Sequence, residues 1–396
     1  MLTPNYLMNV AEPMVELWSQ VECDILQDIA RRLVKNLGKM TESARWQILK
    51  ARELGILQTD MTKELARMSK MSEKEVEKLV LEACEDALLF DDEMYIKAGY
   101  APPPLMESQA LMDVVNAGIR KTNGLMRNFT NTTADTATKV FENALDRAYL
   151  QVQSGAFSYE DALRNVVRDL AIKGIDRIVY PSGSNIRMDA AARRALLTGL
   201  NQTTAELQLA RMDQMGTHLI EVTSHAGARP THAVWQGQVY WRNERVRGYR
   251  NFEESTGYGT GDGLCGWNCY HNFFPYFEGL SMRSFERDPA ARLGKSNDEV
   301  YEESQKQRYY ERRIREARRE CVTYSAARDA AQDAQTKQVL DNMFTAASVK
   351  LKRREGALDR FVEATGRTKI PERAAVYGYN RSVSAKVRHA VNRATK

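Results

Sequence analysis

Four glycines at alternate positions, Gly257, Gly259, Gly261 and Gly263, interrupt a chain whose apolar residues otherwise recur mostly at helical spacing. Glycines in this pattern bring no side chains to a core and lose much entropy on folding. They therefore mark a backbone path that other residues would strain to follow. The interruption runs from Ser224 to His271 and concentrates rare residue types. It holds three of the five histidines (His225, His232, His271), two of the five cysteines (Cys265, Cys269) and three of the five tryptophans (Trp235, Trp241, Trp267). Specific chemistry or a specific contact is expected here.

Helices are expected on either side. Leu17, Val21, Ile25, Ile29 and Leu33 recur every four residues and predict an amphipathic helix over 11–38, with Gly38 as its stop. A second helix is expected over 42–57. A third follows Ser72-x-x-Glu75, which has capping-box spacing. Pro102-Pro103-Pro104 forbids helix and reads as a spacer. Beyond it, helices are expected over 108–129 and 133–154, after Ser158 and Asp161, and from Met188 to Met215. Ile175–Tyr180 reads as a short strand and Pro181-Ser182-Gly183 as a turn. His218–Val222 is the best strand candidate, with Val239-Tyr240 and Phe273-Phe274 as partners. Ser296-x-x-Glu299 again has capping-box spacing, and neither proline nor glycine follows before Gly356. The narrow stripe of Ile314, Ala317, Cys321 and Tyr324 there predicts one long, mostly solvated helix. The basic tail from Arg381 to Lys396 reads as a flexible arm. The fold class expected is α+β, predominantly α-helical. Four regions are expected: an acidic helical domain over 1–100, a central helical domain over 105–215, a small α+β module with the Gly-rich Cys/His loop over 216–285, and long basic helices over 286–396.

Charge is unevenly distributed along the chain. Residues 1–100 carry 13 Lys/Arg against 18 Asp/Glu, whereas residues 281–396 carry 26 against 16. This asymmetry points to a nucleic-acid or acidic neighbour at the C-terminal end, or to solvated charged helices. No apolar run approaches the roughly 18 residues that span a bilayer, and residues 1–14 lack the pattern of a secretory signal. Sparse cysteines argue for a reducing compartment.

His225, His232, Cys265, Cys269 and His271 offer five nitrogen or sulfur ligands where a zinc site needs four. Their spacings, His-x6-His and Cys-x3-Cys, lie near the usual structural ones without matching them. Two other readings stay open. The thiols can be small buried side chains beside locally hydrogen-bonded histidines. Alternatively, Cys269 can pair with His225 or His232 as a thiolate–imidazolium, with Asp262 the only acid close by in sequence. The glycine ladder is not a dinucleotide fingerprint, and Gly294-Lys295-Ser296 lacks the earlier glycine of a phosphate loop because that position is Pro289. Arg229 is suited to lock the loop onto a carboxylate or carbonyls, and Trp235 and Trp267 to wedge it by packing. Gly237, Gly263, Gly266 and Asn268 complete the structural motif.

Two runs carry a resemblance. The first is His225-x-Gly227-Ala228-Arg229-Pro230-x-His232-x-x-Trp235-Gln236-Gly237. The second is Gly257-Tyr258-Gly259-x-Gly261-Asp262-Gly263-Leu264-Cys265-Gly266-x-Asn268-Cys269-x-His271. Together they resemble the second type of phage minor capsid protein, found in tailed phages and prophages of Gram-positive bacteria. They are distantly similar to the Mu F-type head morphogenesis proteins, which share a Cys/His-containing module. The Arg-rich segment Tyr309–Arg319 also fits, so the resemblance covers most of the chain. It implies a non-enzymatic minor component of the phage head that acts in assembly at or near the portal, with DNA packaging or ejection as a further expected role, present in host cytoplasm during assembly. The implied partners are the portal protein, the major capsid protein, or both. Double-stranded DNA is a further expected partner through the basic C-terminal region, and neither a membrane nor a small-molecule substrate is expected. No cofactor is implied with certainty; zinc is the candidate. The alternatives are a metal-stabilised nucleic-acid-binding module, or an enzyme or toxin built on the Cys/His module. The Leu17/Val21/Ile25 face is the expected docking surface.

Overall fold

The computed structural model describes residues 1–37, 43–175, 178–179 and 185–395. Gly38, the Pro181-Ser182-Gly183 turn and Lys396 lie outside the described residues. In chain order the helices before the special stretch are α1 (Pro4–Asn9), α2 (Glu12–Leu37), α3 (Ser43–Lys97), α4 (Gln109–Gln153), α5 (Tyr159–Lys173) and α6 (Met188–Met215). Strands β1 (Ile178–Val179) and β2 (Asn185–Ile186) form an antiparallel pair between α5 and α6. Then come β3 (Leu219–Val222), α7 (Pro230–Ala233), β4 (Val239–Trp241), β5 (Arg250–Asn251), α8 (Phe252–Thr256) and β6 (Phe273–Pro275). Helices α9 (Asn297–Ala330), α10 (Ala334–Thr365) and α11 (Arg381–Ala394) complete the chain. The fold is predominantly α-helical with a minor α+β part, as the periodicity predicts.

Two compact units emerge. One comprises Met1–Val15, Lys70–Asn128 and Ala192–Gln305; the other comprises Glu16–Ser69, Phe129–Ala191 and Lys306–Lys396. The first holds a four-stranded sheet in the order β5-β4-β3-β6. Strand β3 is central and antiparallel to both neighbours, pairing Ile220 with Tyr240 and with Pro275. All four β3 residues are buried. The core gathers Ile220, Val222, Tyr240, Phe252 and Phe273 from this region with Leu209 and Met212 of α6 and Tyr95 of α3. The Pro102–Pro104 segment lies inside the same unit, where the Pro103 carbonyl accepts a hydrogen bond from Arg211 at 2.6 Å.

Several expected helix boundaries dissolve. Helix α3 runs unbroken through Ser72 and Glu75, so that pair is helix interior rather than a capping box, and Ser72 is fully buried. Helix α4 likewise joins the segments expected over 108–129 and 133–154. Its threonines do not break it, because Thr133, Thr136 and Thr138 each donate to the carbonyl four residues back. The helix from Ser296 starts as predicted. Ser296 Oγ accepts from the Glu299 amide while Glu299 accepts from the Ser296 amide. It does not run on, however. It ends at Ala330, and Asp333 caps α10 by accepting from the Thr336 amide. Nor is it mostly solvated, since residues 319–327 are buried throughout.

The second unit corrects two further expectations. Val21, Ile25, Ile29 and Leu33 are buried in it, and Trp18 packs on Phe129 with ring centroids 4.2 Å apart. The apolar face of α2 is core and is not a docking surface. The basic tail is helix α11, capped by Asn380 and buried along Val383, Val387 and Ala390. Valines and alanine at that spacing give it an apolar stripe, which an arm in solvent would not keep. Arginines of the Tyr309–Arg319 segment are engaged within this unit. Arg315 pairs with Asp189 at 2.7 Å, Arg318 with Glu355 at 2.9 Å, and Arg319 with Glu22 at 2.6 Å.

Candidate functional site

The special stretch folds entirely within the first unit. Pro230 opens the short helix α7, where its missing N–H costs nothing, and this places His232 inward. Downstream, the chain turns tightly through Gly263 and Gly266. A Cβ on Gly263 would stand 2.0 Å from the Gly257 carbonyl oxygen, and one on Gly266 would stand 2.4 Å from that of Gly261. Only glycine fits there. Gly237 meets the same restriction against the Glu286 carbonyl oxygen, at 2.3 Å. Cys265 and Asn268 take left-handed backbone conformations in the same turn, with φ of 58° and 53°.

His232, Cys269 and His271 converge in this fold. Cys269 Sγ lies 3.8 Å from His232 Nδ1 and 3.6 Å from His271 Nδ1. The three ligand atoms all lie within 4.8 Å of one another, and all three residues are buried. The outer nitrogens are held as well. His232 Nε2 meets the Asp262 carbonyl at 2.8 Å, and His271 Nε2 meets Gln236 Oε1 at 2.9 Å. His225 and Cys265 stand beside this group. The His225 ring lies 4.6 Å from the His271 ring and its Nδ1 meets the Ala226 carbonyl, whereas the buried Cys265 thiol donates to the His271 carbonyl at 3.7 Å.

The motif residues frame the cluster. Trp235 is buried, its ring 4.6 Å from that of His232 and 4.8 Å from that of His271. Trp267 is largely exposed but lies against Gly261, where an added Cβ would come within 2.8 Å of the indole. Arg229 donates to the Trp267 carbonyl at 3.1 Å, a carbonyl rather than a carboxylate. Asn297, at the start of α9, bonds both the amide and the carbonyl of Ala228.

Two supporting residues went unassigned in the sequence. Asn201 of α6 is fully buried and donates to the carbonyls of Cys269 and His271, at 3.2 and 3.0 Å, while Asn272 donates to its Oδ1 at 3.0 Å. Gln236 accepts from the His225 amide at 3.1 Å as well as meeting His271. Gln236 lies in the motif and so was visible; Asn201 sits in a helical run of ordinary composition with no local signal.

Ionisation follows burial. Desolvation pushes the Cys269 thiol up to about 11, against hydrogen bonds from the His271 and Cys265 amides. Burial holds His232 below its usual value, and His271 well below it, the latter helped by His225, His232 and Arg229 nearby. A neutral thiol facing neutral imidazoles is the reverse of the thiolate–imidazolium pair that a cysteine nucleophile requires. Asp262 does not orient His232 through its carboxylate; its backbone carbonyl does so. This donor set matches metal ligation better than it matches nucleophilic attack.

Fold and site together define a mostly helical protein that buries a cysteine–histidine cluster beside a small mixed sheet, and no described helix is long and apolar enough to cross a membrane. The chain belongs to the family described as phage minor capsid protein 2, whose model matches residues 2–363. It is similar to a structural protein of Lactococcus phage LL-H, 23% identical over 293 residues, covering 70% of this chain and 76% of that one. It is also similar to a structural protein of Lactococcus phage mv4, 40% identical over 62 residues, covering 15% of this chain and 45% of that one. No solved structure matches it. Family membership makes the chain a structural component of a phage virion, a role that implies contact with other virion components.

Proposed function

We propose that this chain works inside the phage head as a non-enzymatic assembly component, which joins the portal or major capsid protein and lays its C-terminal helices against packaged double-stranded DNA. One observation carries the reading. The basic C-terminal segment is built mainly from two packed helices that carry exposed cations. Residues 334–395 hold 13 Lys/Arg against 5 Asp/Glu. Lys352, Arg353 and Arg360 of α10 and Arg381, Arg388 and Arg393 of α11 are exposed. Cations fixed on packed helices neutralise phosphates without first paying to order an arm. The arginines of α9 contribute less, because Arg315, Arg318 and Arg319 are held by carboxylates.

The test is duplex-DNA retention by the full chain across a salt series. Six phosphate contacts predict that affinity falls by about 10³ between about 50 and 200 mM salt. Replacing Arg381, Arg388 and Arg393 with Gln removes three contacts and lowers the slope of log affinity against log salt by about 2.7. An unchanged slope in the folded triple variant refutes the assignment.

A further inference from the structure

The hydrogen bonds around the buried cluster fix the protonation of both imidazoles. The Asp262 carbonyl oxygen can only accept, so His232 Nε2 carries its proton. Gln236 Oε1 already accepts from the His225 amide, and its Nε2 faces the Arg287 carbonyl at 3.5 Å, so its orientation is set. His271 Nε2 must therefore donate as well. Both Nδ1 atoms are left as bare lone pairs, and both face the single sulfur of Cys269. One thiol proton can satisfy only one of them. The other lone pair faces the sulfur across a gap with no proton to share, an arrangement that proteins seldom leave uncompensated.

A cation in that gap resolves the conflict. Tetrahedral geometry at usual zinc–sulfur and zinc–nitrogen lengths sets neighbouring ligand atoms about 3.3–3.6 Å apart. The sulfur–nitrogen separations of 3.6 and 3.8 Å stand at and just beyond that spacing, and all three atoms lie within 4.8 Å of one another, so binding an ion draws the imidazoles slightly inward. The outer nitrogens are tied to a carbonyl and an amide oxygen, the second layer that orients metal-binding histidines. We propose that Cys269 Sγ, His232 Nδ1 and His271 Nδ1 bind one zinc ion, with a solvent molecule at the fourth corner. Uptake releases the Cys269 proton to solvent, so the thiolate forms only as the metal arrives. Cys265 and His225 are not ligands in this site. Its effect is structural, clamping α7 to the segment that leads into β6.

Full-length protein tests this by metal analysis, chelator stripping and zinc titration. One zinc per chain is expected, lost in Cys269→Ser and His271→Gln and kept in Cys265→Ser. Stripping is expected to lower Tm by at least about 5 °C. Cobalt(II) in place of zinc should give a thiolate-to-cobalt charge-transfer band in the wild type and in Cys265→Ser. Folded wild type that takes up no zinc, folded Cys269→Ser that retains it, or a cobalt complex without the thiolate band overturns the proposal. If Cys269→Ser does not fold, the cobalt spectra of wild type and Cys265→Ser decide.

Discussion

Replacing Asn201 tests whether the Cys/His stretch owes its order to buried polar bonds. Its side chain is fully buried and holds two carbonyls, those of Cys269 and His271, while accepting from Asn272. Asn201→Ala strips one donor from each carbonyl and leaves the Asn272 amide without that acceptor. Each buried group deprived in this way costs about 1–3 kcal/mol. The His271 carbonyl keeps a weak contact from the Cys265 thiol at 3.7 Å, which lowers its share. The expected loss is on the order of 3–5 kcal/mol. Asn201→Asp should be worse, since it points a carboxylate at two carbonyl oxygens. Backbone hydrogen exchange over residues 264–275 reads the effect locally, alongside urea unfolding of the whole chain. A loss under about 1 kcal/mol in Asn201→Ala, with exchange over 264–275 unchanged, refutes the reasoning.

Two more outcomes are expected. The double substitution Val21→Asp and Ile25→Asp should abolish folding of the second unit by circular dichroism, because both side chains are buried and a buried unpaired carboxylate costs several kcal/mol each; a folded double variant contradicts the packing of α2. Glu221 gives a pH signature. Burial raises its carboxyl above the usual range, against bonds from the Phe285 and Ser284 amides. A carboxyl raised in the folded state contributes most below its unfolded value of about 4.3 and loses that contribution as pH rises through the folded value. Glu221→Gln should therefore gain stability relative to wild type as pH rises from about 4 to 7. A pH-independent difference between the two in urea midpoints refutes it.

Much of this fold was legible because its signals are local. Helix α6 was read at its true bounds, and β3 with its partners β4 and β6 stood out as short apolar runs beside turns. The failures came where a side chain has two possible partners. Ser72 and Glu75 have the spacing of a cap, yet Ser72 lies buried in the interior of α3 and its hydroxyl caps nothing. Threonines that favour turns in an isolated peptide bond back into α4. The apolar stripe of α2 looks the same in sequence whether it covers a core or docks a partner, and only packing distinguishes the two. At the site, the sequence placed all five candidate ligands in one stretch. Which three converge depends on Asn201, distant in sequence, and on the Asp262 carbonyl, which every residue possesses.

Ultraviolet cross-linking of intact DNA-filled heads, followed by mass-spectrometric mapping of nucleotide adducts on this chain, is the most direct test of its proposed place beside the genome. Adducts are expected on α10 and α11, around Lys352, Arg353, Arg381 and Arg388, whose side chains are exposed. They are not expected on the acidic residues 1–100. Adducts concentrated in residues 1–100, or heads that carry the chain with no adducts on α10 or α11, would contradict the account.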